Sequence, residues 1–191
     1  LSHMGFDLMT GEDARYVQDV PALAGVSPSV VLMNPPFSSQ ATTGMAANTA
    51  TSFEHVEAAL EKLTDGGRLV TVLGAGRDGV DSKQFTAWIR KLKKDYTVRA
   101  NVVIDGKNYR KYGTDFNVRI VVIDKVGAHT GETVTGTFTN LKELPEKLKT
   151  YLGGSSELRR LAGFNDEEMM FEKKNFLKTM PTINKRQEYK E

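Results

Sequence analysis

The sequence predicts an α/β fold: a largely parallel sheet with crossover helices, an antiparallel terminal hairpin and a C-terminal α/β extension. Three observations carry this. Apolar, β-branched runs over 30–33, 68–73, 96–104 and 117–124 are interleaved with stretches of helical period over 53–63 and 82–92. The first three runs are separated by those helical stretches, as parallel neighbours require. The last two are joined by a polar loop, which suits an antiparallel pair at the sheet edge.

The chain begins with a short apolar segment over 5–9, read as a strand, then Thr10-Gly11-Glu12-Asp13 as a loop. Residues 14–20 suit one or two helical turns, which Pro21 interrupts. Val30-Val31-Leu32-Met33 is apolar throughout, the pattern of a strand buried on both faces. It stops at Asn34-Pro35-Pro36-Phe37, because neither proline can donate to a ladder and each holds the residue before it extended. Asn34 therefore belongs at the carboxyl end of a buried strand, the edge of an α/β sheet where ligands bind. Residues 38–49 are small and polar without a period and read as a loop.

Thr51 or Ser52 suits the cap of the next helix, whose stripe is Phe53, Val56, Ala59, Leu60 and Leu63, stopped by Asp65-Gly66-Gly67. A strand over 68–73 ends in Gly74-Ala75-Gly76, read as a turn rather than a phosphate loop. The helix over 82–92 places Phe85, Trp88, Ile89 and Leu92 on one face, with Trp88 in the core. After the strand over 96–104, Asp105-Gly106 turns the chain into a polar aromatic loop over 108–115, and the strand over 117–124 follows. A linker over 126–131, a strand over 132–138, a helix over 141–152 and a charged tail complete the reading. The expected domains are 1–125 and a C-terminal extension over 126–191.

Composition narrows the function. The 191 residues, 39% hydrophobic and 26% charged, suffice for one domain with a sizeable core. A net charge of +2 gives no general attraction to nucleic acid, so any basic surface is local. Cysteine is absent, which excludes disulfides, thiolate metal sites and a cysteine nucleophile and fits a cytoplasmic protein. No apolar run approaches a membrane span. His55 has no metal-ligand partner nearby in sequence and reads as a surface or capping histidine.

Asn34-Pro35-Pro36-Phe37 after an apolar strand resembles the catalytic tetrapeptide of the N6-adenine DNA methyltransferases. The order that follows, helix, Gly-Gly turn, strand, helix and terminal hairpin, is similar too. Within the family the chain looks closest to helicase-fused methylases of phages and mobile elements. The stretches that carry this are 63–70, 98–102 and 109–116, and the resemblance covers about 5–125. It implies a Rossmann-like class I methyltransferase fold, S-adenosylmethionine as cofactor, DNA as partner and a restriction–modification setting.

The resemblance also implies roles. The Asn34 side-chain oxygen and a carbonyl of Pro35-Pro36 would each accept one hydrogen of the adenine amino group, localising its lone pair. Phe37 would stack the extruded base. Asp13 matches an acidic position near the cofactor's adenine, or is a solvated loop residue. Tyr109 and Tyr112 would flank the base or, with Arg110 and Lys111, contact the nucleic-acid backbone; otherwise they form an exposed hairpin tip. No metal is required.

The family's Gly-rich cofactor loop normally stands before the catalytic strand, and the 33 residues before Asn34 are too few for three strands and their crossovers. The expectation is thus a fold lacking its first strands, joined to a missing methyltransferase portion or a larger, helicase-bearing polypeptide. A bared sheet edge should then drive self-association or be covered by residues 131–191. Two rival readings are an inactive module that binds nucleic acid or a partner protein, and methylation of another amino group such as protein glutamine.

Overall fold

The computed structural model describes residues 11–36, 50–75, 81–112, 115–140 and 143–144. Its centre is a five-stranded sheet: β1 (Val30–Met33), β2 (Arg68–Gly74), β3 (Thr97–Ile104), β4 (Val118–Asp124) and β5 (Val134–Phe138). The spatial order is β1-β2-β4-β3-β5. β1 and β2 are parallel, as are β3 and β5, while β4 runs antiparallel to β2 and β3 between them. The 3-4 hairpin is antiparallel as expected, but it lies inside the sheet, because β4 inserts beside β2 and β5 flanks β3.

Helix α1 (Ala50–Lys62) is the crossover from β1 to β2. It begins ahead of the two expected caps, and Ser52 faces the preceding turn instead. Gly66 ends the connection at φ +78°, where a side chain would strain the backbone. Helix α2 (Lys83–Leu92) starts as its sequence predicts: Ser82 Oγ accepts from the Phe85 N–H at 3.1 Å.

Both helices pack one sheet face. Val56, Leu60, Phe85, Trp88, Leu69 and Val121 form that core, and Trp88 stacks on Phe53 at 4.4 Å between ring centroids. The Trp88 indole N–H donates to Glu57 Oε1 at 3.0 Å, so the ring keeps its polar partner while buried. The alternate residues of β3 and β4 build a second core on the other face, with Val102, Ile104, Val118, Phe138 and Leu144.

On that second face Asp124 is fully buried. It accepts from Arg68 at 2.7 and 3.0 Å and from Arg99 at 2.8 Å, across three adjacent strands. A pair of guanidinium groups is what makes such a carboxylate tolerable in a sheet.

β1 departs from its expected burial on both faces. Val31 and Met33 pack on the α1 side, but Val30 is 56% and Leu32 76% exposed. Among the described residues β1 pairs with β2 alone, so one side of it is an open sheet edge.

Before β1, two short 3₁₀ helices, Ala14–Asp19 and Pro21–Leu23, replace the expected helical turns. A third, Gly106–Tyr112, stands where a polar loop was expected after β3. The expected strand over 5–9, the loop over 38–49, most of the helix over 141–152 and the charged tail lie outside the described residues. The chain divides into two units, Leu1–Gly153 and Gly154–Glu191.

Candidate active site

Asn34, Pro35 and Pro36 leave the carboxyl end of β1 as the sequence dictates. Asn34 is exposed, Pro35 is buried and Pro36 is exposed. The turn is tied to α1: Ser52 Oγ, itself buried, donates to the Pro36 carbonyl oxygen at 2.5 Å. This contact joins a rigid proline turn to the first turn of a well-packed helix. Phe37 lies outside the described residues.

The turn opens into a cleft of about 750 Å³. Its walls are Gly11 to Arg15 on one side, Met33 to Pro36 on another, and Thr51 and His55 of α1 on a third. Asp13 is the N-cap of the first 3₁₀ helix and accepts from the Arg15 backbone N–H at 3.0 Å. The Arg15 guanidinium folds back on the same carboxylate, with Nη2 2.6 Å from Oδ2. That side-chain bond, reinforced by the backbone one, holds the Asp13 carboxyl at about 2, against an ordinary 3.8. Asp13 is therefore a fixed anion in the cleft across the ordinary pH range.

Two further contacts fasten the 3₁₀ helix to α1. Gln18 Nε2 donates to the Ala58 carbonyl at 3.0 Å, and Arg15 Nη1 lies 3.6 Å from Glu54. His55 Nδ1 bonds the Thr51 carbonyl at 2.7 Å, and its Nε2 stands 3.7 Å from Asp13 Oδ1. The expected surface histidine is thus half-buried and faces the cleft. Its place, and those of Arg15 and Ser52, depend on tertiary contacts; the only local signal is that Thr51 and His55 share a helix face at i, i+4.

The structure brings Asn34, Pro35, Pro36 and Asp13 to one cleft. It does not bring Tyr109, Arg110 or Lys111 there. These lie on the Gly106–Tyr112 helix, at the same carboxyl edge of the sheet but beyond β2 and β4. Tyr109 is half-buried against the second core, Arg110 and Lys111 are exposed, and the Tyr112 side chain lies outside the described residues. At the end of β2, Gly74 is exposed and Ala75 is buried, its N–H donating to the Asn117 carbonyl at 3.0 Å. Gly76 lies outside the described residues.

Chemically the cleft is rich in acceptors: a carboxamide, an ionised carboxylate and backbone carbonyls beside apolar Met33, Pro35 and Ala14. Among the described residues no group of three His, Asp or Glu side chains is placed to hold a metal ion. No described helix is long and apolar enough to cross a membrane.

No family model matches the chain, and no curated protein sequence matches it. Solved structures do. One is a chain from a type I restriction–modification system, described for its complex assembly and conformational transition: TM-score 0.51, 16% identity, over 72% of this chain and 28% of that one. Another is a protein of Listeria monocytogenes assigned as a class I S-adenosylmethionine-dependent methyltransferase: TM-score 0.50, 11% identity, over 66% of this chain and 43% of that one. At such identities the likeness is one of fold. The mixed sheet with its helices is of the Rossmann-like, class I methyltransferase type. The chain spans less than half the length of either structure.

Proposed function

We propose that this chain is the catalytic-tetrapeptide portion of an S-adenosylmethionine-dependent methyltransferase that modifies adenine N6 in DNA. The observation that carries the reading is the position of Asn34-Pro35-Pro36. In a class I methyltransferase-type fold, this turn ends β1 and opens into the cleft that also holds Asp13.

The residues present suit the cofactor's chemistry. An anionic Asp13 and the neighbouring acceptors match the hydrogen-bond donors of an adenosine, and the cleft's apolar atoms suit its base. When bound, S-adenosylmethionine supplies a methyl group already activated on sulfonium.

The chain's own part is to prepare the nucleophile. An adenine amino nitrogen shares its lone pair with the ring. Asn34 Oδ1 accepts one amino hydrogen and draws the nitrogen toward tetrahedral geometry. The Ser52 hydroxyl occupies the Pro36 carbonyl, so the Pro35 carbonyl is the one that takes the second hydrogen. Both acceptors are held before the reaction by proline rings and the Ser52 bond, so little reorganisation accompanies the step. Phe37 stacks the extruded base. Tyr109, Tyr112, Arg110 and Lys111 lie at the same sheet edge and contact the flanking nucleic acid.

The open side of β1 is where further polypeptide of the same domain joins. Exposed Val30 and Leu32 beside an unpaired strand edge favour this. That polypeptide carries the Gly-rich cofactor loop and, in a helicase-fused protein, the helicase.

The test is product identity. The polypeptide containing this chain and the rest of the domain is incubated with S-adenosylmethionine and unmethylated DNA, and the digested nucleosides are analysed by mass spectrometry. N6-methyladenine is expected. Methylation of cytosine or of protein, or none, contradicts the reading.

A further inference from the structure

The tautomer of His55 is set by its surroundings. Its Nδ1 lies 2.7 Å from the Thr51 carbonyl oxygen, which can only accept. Nδ1 therefore carries the hydrogen, and in the neutral ring Nε2 is an acceptor. That Nε2 faces Asp13 Oδ1 across 3.7 Å. The Arg15 backbone N–H, Nε and Nη2 fill three of the roughly four lone-pair sites of the carboxylate, leaving one open. Two acceptors thus look at each other across the cleft, too far apart to be bonded and with no hydrogen of their own to share.

We propose that His55 Nε2 and Asp13 Oδ1 form a paired-acceptor site for the vicinal diol of a nucleoside ribose. Resting on the proposed function above, the ribose is that of the cofactor's adenosine. The spacing selects the diol over the base's amino group. Two hydrogens on one planar nitrogen diverge so widely that, at bonds of about 2.9 Å, their acceptors stand about 5 Å apart. Hydroxyls on adjacent carbons lie closer together, and each rotates its hydrogen toward an acceptor. The site is pre-set: the Thr51 bond fixes the ring, and Arg15 fixes the carboxylate. His55 here is a binding residue that touches ligand and not reacting atoms.

The test uses the 191-residue chain with adenosine, 2′,3′-dideoxyadenosine and inosine as probes, by titration calorimetry and by ¹⁵N spectroscopy of the imidazole. Adenosine is expected to bind at least about tenfold more tightly than the dideoxy compound, as the loss of two hydrogen bonds demands. The His55 Nε2 resonance should shift with adenosine and not with dideoxyadenosine. His55→Phe should bind both at the dideoxy level, while His55→Gln, which keeps an acceptor, should recover part of the preference. Equal affinities in the parent chain overturn the proposal, as does no adenosine binding. Discrimination against inosine with none against dideoxyadenosine overturns it too, by placing the amino group in the site. These readouts involve no methyl transfer, so they fail or succeed separately from the product-identity test.

Discussion

The hydroxyl of Ser52 donates to the carbonyl oxygen of Pro36 at 2.5 Å, binding the first turn of α1 to the turn that carries Asn34. Ser52 is buried, so the carbonyl loses its partner without gaining water when the hydroxyl is removed. Ser52→Ala should cost about 1 kcal/mol. Urea unfolding of the chain measures it, and an unchanged midpoint would show that the contact does not hold the turn.

Asp124 offers a larger effect. It is fully buried, and Arg68 and Arg99 both donate to it. Asp124→Asn keeps the shape but leaves two half-buried guanidinium groups facing a neutral amide. Breaking a buried pair in this way costs about 3 kcal/mol. The same unfolding measurement reports it, and a loss under about 0.5 kcal/mol, the size of an ordinary surface substitution, contradicts the role given to Asp124.

The Asp13 carboxyl titrates at about 2 in the folded chain, below its ordinary 3.8, chiefly through its side-chain bond with Arg15. A depressed carboxyl stabilises the fold above its unfolded value and loses that contribution as pH falls. The contribution should therefore be complete above pH 3.8 and vanish through about 2. Carboxyl-carbon resonances followed against pH should give a midpoint near 2. In Arg15→Ala the midpoint should return toward 3.8, and an unmoved midpoint would mean that Arg15 is not the cause.

Leu32 is 76% exposed on an unpaired strand. The isolated chain should therefore self-associate as concentration rises, and Leu32→Lys should shift it toward monomer in sedimentation velocity. A chain that is monomeric at every concentration argues against an adhesive β1 edge.

Much of this was legible in the sequence because it is locally encoded. Pro35 and Pro36 cannot continue a strand, so Asn34 had to stand at its end, and it does. The stripe of Phe85, Trp88 and Leu92 has helical period and is buried on α2. The exposed face of β1 was not legible. Four apolar residues read the same whether or not anything covers them, and Val30 and Leu32 are uncovered. Nor was the Asp13–His55 pair, whose members lie on separate elements; no periodicity links a 3₁₀ N-cap to the second turn of α1. Asp124 read as an ordinary strand end, since its two arginines come from neighbouring strands whose order the sequence does not state.

The central claim is that Asn34 prepares an adenine amino group for methyl transfer. Its most direct test is the rate of N6-methyladenine formation by the polypeptide that contains this chain, with Asn34 and with Asn34→Ala, at saturating S-adenosylmethionine. Loss of one preorganised partner to the reacting group should lower the turnover rate about a hundredfold or more while DNA binding changes little. An Asn34→Ala protein that methylates adenine at the parent rate would contradict the account.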